Sequence, residues 1–187
     1  MSAGEGPVPG APLRVRRPDH GDLDAVFALH SDPRTYLHVP AAPDVDRDAS
    51  ARRLREWVEH WDEHGFGYWA VQRADAEEVV GVSGVQHARW LDQPVLNLYY
   101  RLSPAWWGRG WATALARHAV AVARDVAPAV PVLARTRPSN TGSIRTALAA
   151  GLVRRPDLDA EDETGPAAIL VSAWPDGEVE EGVSRAG

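Results

Sequence analysis

The run WWGRGWATALARHAVAVA, Trp106 to Ala123, sets Gly108 and Gly110 two residues apart, immediately ahead of an amphipathic stretch. That pattern suits the binding of an anion. A helix start leaves main-chain N–H groups without internal acceptors, and a residue with no Cβ lets a ligand come close to the main chain. The helix dipole adds a fraction of positive charge at the same end, and Arg109 would add a full one. A tight strand-to-helix turn uses glycines in the same way, so the pair alone does not decide. Two phosphate loops are excluded by spacing. No G-x-x-x-x-G-K-[ST] occurs, and G-x-G is followed here by Trp111 and Ala112, with no third glycine, past the middle of the chain. The anion left is the diphosphate of a different cofactor.

The turn must be positioned by a strand before it and a helix after it. VLNLYYRL (95–102) reads as that strand, and Leu115, Ala119, Val122 and Val126 form the stripe of that helix. Upstream, LRVRR (13–17) alternates as a strand, and Leu23, Val26, Phe27 and His30 lie at helical spacing after a cap at Asp19. Ala51, Leu54, Trp57 or Val58 and Trp61 mark a second helix, stopped at Gly65. GYWAVQ (67–72) and EVVGVSGVQHAR (78–89) complete a meander with 95–102. Downstream, VPVLART (130–136) reads as a buried strand and NTGSIRTALAAG (140–151) as a helix capped by Asn140 and closed by Gly151. LVRR (152–155) and AAILVSAW (167–174) bracket a polar loop. The fold class expected is α/β (α+β), a mixed sheet of about seven strands with about four helices on both faces. One domain is expected over 12–174. Residues 1–11 and 175–187, rich in Gly and Pro or in acid, are expected to be loose tails.

Composition removes other classes of function. A net charge of -6 and no visible basic patch argue against a nucleic-acid partner. All 20 cationic residues are arginine, and no cysteine occurs, which excludes disulfides, thiolate metal sites and a cysteine nucleophile. No metal site is expected. The first residues lack the charged and apolar regions of a secretion leader, and no apolar run approaches a bilayer span. The expectation is a cytoplasmic protein without a membrane partner.

With these residues in view, the chain resembles the GNAT N-acetyltransferases, whose acetyl-CoA motif reads [QR]-x-x-G-x-[GA] between a central strand and a helix. Trp107 to Ala112 aligns with it, with Trp in the first place. That departure resembles the Rim-type ribosomal-protein N-terminal acetyltransferases, whose L-S-P-x-x-W-G-x-G-x-A-T is matched by Leu102, Ser103, Pro104 and Trp107 to Thr113. The later N-x-x-S-I-R is matched by Asn140, Ser143, Ile144 and Arg145, and SDPRTYLHVP (31–40) and EHGFGYWAVQ (63–72) resemble the same branch. The likeness covers roughly residues 12–174.

The resemblance implies a GNAT fold whose central strands splay, with pantetheine in the gap and the CoA pyrophosphate on the glycine turn. The acetyl-CoA contacts it implies are Tyr100, Arg101 and Leu102 of the strand, Trp107, Gly108, Arg109, Gly110, Trp111, Ala112 and Thr113 of the turn and helix start, and Asn140 with Ser143. It also implies direct attack of an amine on the thioester in a ternary complex.

Such a reaction needs a neutral amine, a donor for the oxyanion and a proton for the leaving thiolate. Main-chain N–H groups around Tyr100 to Leu102 are candidates for the oxyanion. The tyrosine that many GNAT enzymes carry four residues before the closing glycine is replaced by Ala147. Relatives of the Rim type imply Ser143 as the donor to sulfur, although a serine in a first helical turn also serves to satisfy backbone N–H groups. Where relatives often carry a strand carboxylate, this chain has Asn97. His87, ending the preceding strand, and His118, on the motif helix, are the candidate bases, since imidazole ordinarily titrates in the range a base needs, though a lone histidine is more often structural.

A missing base bears on the substrate. An α-amine near pKa 8 is roughly a tenth neutral at pH 7, a lysine amine less than about 0.1%. Tyr36, His38, Trp90 and Tyr99 are the expected lining of the substrate site. The acidic loop Asp157 to Glu163 would suit a cationic acceptor, yet acid on a surface is usually only solubilising. Three readings follow: an acetyltransferase acting on a protein or peptide α-amine, one acting on a small-molecule amine, and a CoA-binding module that has lost catalysis. The partners are then acetyl-CoA and an amine, with a homodimer left open.

Overall fold

The computed structural model describes residues 3–39, 46–162 and 165–173. One mixed sheet runs through the molecule in the order β1-β2-β3-β4-β5-β6-β9-β7, with β8 paired to β9. Its long strands are β2 (Leu13–Arg16), β3 (Tyr68–Arg73), β4 (Val79–Trp90), β5 (Gln93–Leu102), β6 (Val132–Thr136) and β9 (Gly165–Val171). β1 (Gly6–Pro7), β7 (Val153–Arg154) and β8 (Ala160–Asp162) are short additions. Among the described residues only β5 and β6 pair in parallel.

The helices α1 (Leu23–Ser31), α2 (Arg47–His64), α3 (Trp111–Val126) and α4 (Thr141–Ala149) cover both faces. Alternation in the strands divides the core between them. Tyr68 and Val82 pack with Val26, Leu29, Leu54 and Trp57 of α1 and α2. Trp69, Val71, Leu96 and Leu98 pack with Leu115, Ala116 and Ala119 of α3. Local signals agree. Asp19 caps the turn before α1 with a reciprocal bond to Asp22, Gly65 ends α2 with its N–H on the Trp61 carbonyl, and the Asn140 side chain accepts from the Ser143 N–H. Trp57, Trp61 and Trp69 are core, as their stripes predict. Trp174 and the tail 175–187 lie outside the described residues.

Residues 3–11 do not form the loose tail that their composition suggests. β1 pairs with β2, Val8 is buried, and the Glu5 carboxylate accepts from the Arg17 N–H at 2.6 Å. The carbonyls of Ala3 and Gly4 accept from Trp69 Nε1 and His118 Nε2 at 3.3 and 2.7 Å. Gly4 packs so closely that a Cβ there would stand 2.6 Å from Trp69 and Val122. Composition underrates the segment because main-chain groups, rather than apolar side chains, do most of the docking. His118 is thereby tied to the N-terminal segment and faces the Trp69 ring at 5.3 Å.

A buried histidine, His60, predicts how the fold responds to acid. His60 Nδ1 lies 2.8 Å from the Phe66 carbonyl, so Nδ1 carries the proton and Nε2 accepts from the His87 N–H at 3.1 Å. Burial, then the nearby His64 and His87, lower its pKa to about 4, against the opposing Phe66 bond and Glu63. The unfolded chain therefore takes up this proton first, and stability that is complete above pH 6.5 is lost as the pH falls toward 4. By pH 5 the loss is on the order of 2 kcal/mol. Denaturant melts at pH 7.5 and pH 5 are expected to differ by that amount in the wild type and by clearly less in His60→Gln, whose amide can donate and accept in the same places. An equal difference in both proteins contradicts the assignment.

Candidate active site

The site begins where two strands part. β5 and β6 pair only at Leu96–Val132 and Asn97–Leu133. From Leu98 onward β5 stays with β4 as far as Leu102, while Ala134, Arg135 and Thr136 of β6 pair with β9. The Leu96 N–H bonds toward β6, to the Pro131 carbonyl at 2.8 Å, and the Ser103 N–H bonds to Val80 of β4 at 2.9 Å. Strand alternation between them turns the main-chain groups of Leu98 and Tyr100 into the gap. A cavity of about 970 Å³ occupies it.

At one end of the cavity stands the glycine turn. Gly108 and Gly110 have φ of +74° and +75°, backbone that side-chained residues rarely adopt, and a Cβ at either would meet no atom within 4 Å. Gly110 is the N-cap of α3 and offers no side-chain cap. The N–H groups of Gly108, Arg109 and Gly110 donate to no protein group among the described residues. Trp106 and Trp111 stack at 5.3 Å, and the Arg109 guanidinium lies 5.1 and 5.3 Å from their rings. The turn is thus an open, positively biased seat for an anion.

Across the gap, α4 presents its first turn. Because Asn140 satisfies the Ser143 N–H at 3.0 Å, the Ser143 hydroxyl is not needed as a cap. It lies 3.0 Å from the Tyr100 hydroxyl, which also donates to the Ser143 carbonyl at 2.9 Å. That carbonyl takes the only Tyr100 proton, so Ser143 is the donor between the two hydroxyls. Burial, moderated by the Ser143 bond, pushes the Tyr100 pKa up to about 12. This hydroxyl pair escapes a reading of the sequence that treats Tyr100 as strand backbone. The signal was available in the alternation of Leu98, Tyr100 and Leu102.

On the opposite face of β5, Tyr99 and Arg101 point toward α1 and the loop after it. His30, fully buried, has Nδ1 2.9 Å from the Val26 carbonyl and Nε2 2.9 Å from the Tyr99 hydroxyl. The carbonyl fixes the proton on Nδ1, so Tyr99 donates to Nε2. His30 was legible only as a helix-stripe residue. Arg101 Nη1 donates to Thr35 Oγ1 at 3.0 Å, and its guanidinium lies 3.8 Å from the Tyr36 ring and 5.7 Å from the Tyr99 ring.

All the residues expected to contact acetyl-CoA line this one cavity, as do Tyr36, His38 and Tyr99. His38 Nδ1 reaches Ser139 Oγ at 3.2 Å, joining the loop after α1 to the loop before α4. His87 and Trp90 are not on the wall. The His87 ring, largely exposed, stands beside His60 and His64, at 5.7 and 4.7 Å, and the partial loss of water around it, then His64, lowers its pKa. Trp90 donates to the Leu158 carbonyl at 2.9 Å and packs in a separate cluster with Val95 and Leu133. Asn97 donates to the Tyr68 hydroxyl at 2.6 Å. Among the described residues no group of three or more His, Cys, Asp or Glu is placed to hold a metal ion, and no helix is long and apolar enough to cross a membrane.

A mixed sheet split at its parallel pair, with an open glycine turn at the mouth of the split, defines a CoA-binding α/β enzyme. The model of the acetyltransferase (GNAT) domain matches residues 13–153, and the chain belongs to this family of acyltransferases, with acetyl-CoA as cosubstrate. The uncharacterized protein YkkB of Bacillus subtilis is 25% identical over 146 residues, covering 75% of this chain and 81% of that one. A putative GnaT-family acetyltransferase from Bordetella pertussis superposes with a TM-score of 0.73 at 20% identity, over 86% of this chain and 95% of that chain. RimL, a ribosomal L7/L12 α-N-protein acetyltransferase solved in complex with coenzyme A, superposes with a TM-score of 0.70 at 12% identity, over 88% and 95%. At such identities the structural likeness is one of fold.

Proposed function

We propose that the chain transfers the acetyl group of acetyl-CoA to an α-amine, that of a protein or peptide N-terminus in the first place, by direct attack in a ternary complex. The observation that carries this reading is the gap beyond Asn97, which opens onto the glycine turn at one end and onto Tyr99 and Tyr36 at the other. Pantetheine lying along β5 would meet the outward main-chain groups of Leu98 and Tyr100, and a Tyr100 N–H in that position receives the charge that develops on the thioester oxygen. In the ternary complex the Ser143 hydroxyl turns from Tyr100 to the departing sulfur and gives its proton there, while the Tyr100 hydroxyl, 3.0 Å from Ser143 Oγ, shifts its own proton from the Ser143 carbonyl to that oxygen.

On the amine side, the Tyr99 hydroxyl accepts from the attacking nitrogen while its own proton moves toward His30 Nε2. This relay takes the place of the strand carboxylate, whose position Asn97 fills with an amide already committed to Tyr68. A weak base of this kind favours amines that are partly neutral near pH 7, which an α-amine is and a lysine amine is not. The α-N-protein activity in the name of the RimL neighbour agrees with this choice.

The test is mass spectrometry of peptides that carry both a free N-terminus and an internal lysine. Acetylation confined to the α-amine is the expected result. Products acetylated only at lysine, or only on small amines without a neighbouring carbonyl, would overturn the reading.

A further inference from the structure

The net charge of the chain is -6, yet its cavity is lined by Arg34, Arg101, Arg109, Arg135, Arg137 and Arg145 and, among the described residues, by no carboxylate. Acetyl-CoA accounts for part of this. Arg109 lies in the glycine turn and Arg145 on α4, two residues beyond Ser143, and both line the part of the cavity where its phosphates would lie. Arg101 does not. Its side chain leaves β5 on the face of Tyr99, opposite to the face on which Tyr100 meets Ser143. It is held there by Thr35 and the Tyr36 ring of the loop after α1, a support that fixes the guanidinium without neutralising it. No ion pair is formed by Arg101 among the described residues.

A half-buried guanidinium with donors turned to a cavity and, among the described residues, no carboxylate beside it favours an anion strongly. Two acids of the loop that might have attracted a cationic acceptor, and one beside the cavity, are held by neighbouring arginines. Asp157 pairs with Arg155, Asp159 pairs with Arg154, and Asp32 pairs with Arg34.

We infer that the acceptor is an anionic amine, whose carboxylate or other oxyanion docks on Arg101 while its amine faces the Tyr99 hydroxyl. Tyr99 and Arg101 are two residues apart on one strand face, roughly 7 Å along the backbone. Amine and anion are then a few bonds apart in the same molecule, as in a free amino acid or in a peptide whose first or second residue is acidic. The inference rests on the α-amine reading above and narrows it.

The test uses matched acceptors with and without the charge: free amino acids against their α-carboxamides, and C-terminally amidated Ala-Glu-Ala against C-terminally amidated Ala-Gln-Ala. For each pair the ratio of kcat/KM, anionic over neutral, is measured in the wild type, Arg101→Gln and Arg101→Lys. The ratio is expected to fall tenfold or more in Arg101→Gln, equal to about 1.4 kcal/mol, and to fall less in Arg101→Lys. Comparison between proteins cancels the different basicity of the paired amines. The amino-acid pairs responding alone assign a free amino acid, and the peptide pairs responding alone assign an acidic N-terminus. Ratios that agree within twofold between wild type and Arg101→Gln overturn the inference. Calorimetry of the same pairs on the CoA-loaded protein reads the preference without turnover. Absence of acetyl transfer therefore counts against the α-amine reading, whereas equal binding, or no binding by any anionic member, counts against the anion site.

Discussion

Gly110→Asp abolishes acetyl-CoA binding and leaves the fold standing. The backbone at Gly110 has a φ of +75°, a conformation in which aspartate is among the better tolerated side-chained residues. The new Cβ meets nothing within 4 Å, so no core atom has to move. The carboxylate then sits at the N-terminus of α3, where the dipole and the unpartnered N–H groups favour it. It takes the seat that the pyrophosphate requires and repels the phosphate as well. A loss of at least about a hundredfold in affinity is expected, since both a charge-assisted contact and its sign are reversed. Calorimetry with acetyl-CoA measures it, and a thermal melt close to that of the wild type confirms that the site, not the fold, has changed. Unchanged affinity removes the glycine turn from the account.

The second large effect concerns the proton that leaves with coenzyme A. Ser143→Ala deletes the hydroxyl that faces the cavity and costs about a hundredfold in kcat, the lower range for loss of a positioned proton donor. The KM for acetyl-CoA changes little, because Asn140 and not Ser143 caps α4 and the first turn stays in place. Tyr100→Phe is the milder change, about tenfold, since Ser143 remains but loses its partner.

The pH profile separates this arrangement from one in which an ordinary acid limits the rate. A donor must be protonated to act, and burial holds Tyr100 protonated up to about pH 12. The rate is therefore expected to rise as the amine deprotonates and to stay level up to pH 10. A fall between pH 8 and 10 at saturating substrates contradicts a Tyr100–Ser143 donor. So does a Ser143→Ala protein with wild-type kcat.

The parts of the molecule legible in the sequence are those in which one segment supplies its own reason. The glycine turn, the Gly65 stop, the Asp19 and Asn140 caps and the α3 stripe all depend on neighbours within a few residues, and each lies where the pattern puts it. The split in the sheet is different. It exists because β6 leaves β5 after Leu133 to stay with β9, a choice made by strands more than thirty residues apart. Until that register is known, Tyr99 and Tyr100 are merely adjacent residues of a strand. Once it is known, one hydroxyl faces His30 and the other faces Ser143, and they belong to opposite ends of a reaction.

Histidines show the same limit. His87 and His118 have suitable chemistry, but the sequence gives no account of what surrounds them, and they stand beside His60 and Gly4 instead of in the gap. His30, buried on a helix stripe, is the one that reaches the wall through a tyrosine. Net charge misleads in a related way. The acidic total conceals an arginine-lined cavity, because no carboxylate among the described residues lines it, while acids such as Asp157 and Asp159 pair with arginines elsewhere.

Acetyl transfer from coenzyme A to an amine in the gap between β5 and β6 frees one thiol per turnover. Release of free CoA, followed with a thiol-reactive dye, tests it most directly, and the absence of cysteine means that the protein adds no background. Release is expected to require an α-amine, to match the acetylated product mole for mole, and to vanish in Gly110→Asp. Release that proceeds at the same rate without any amine, or that survives in Gly110→Asp, would contradict acetyl transfer in the gap.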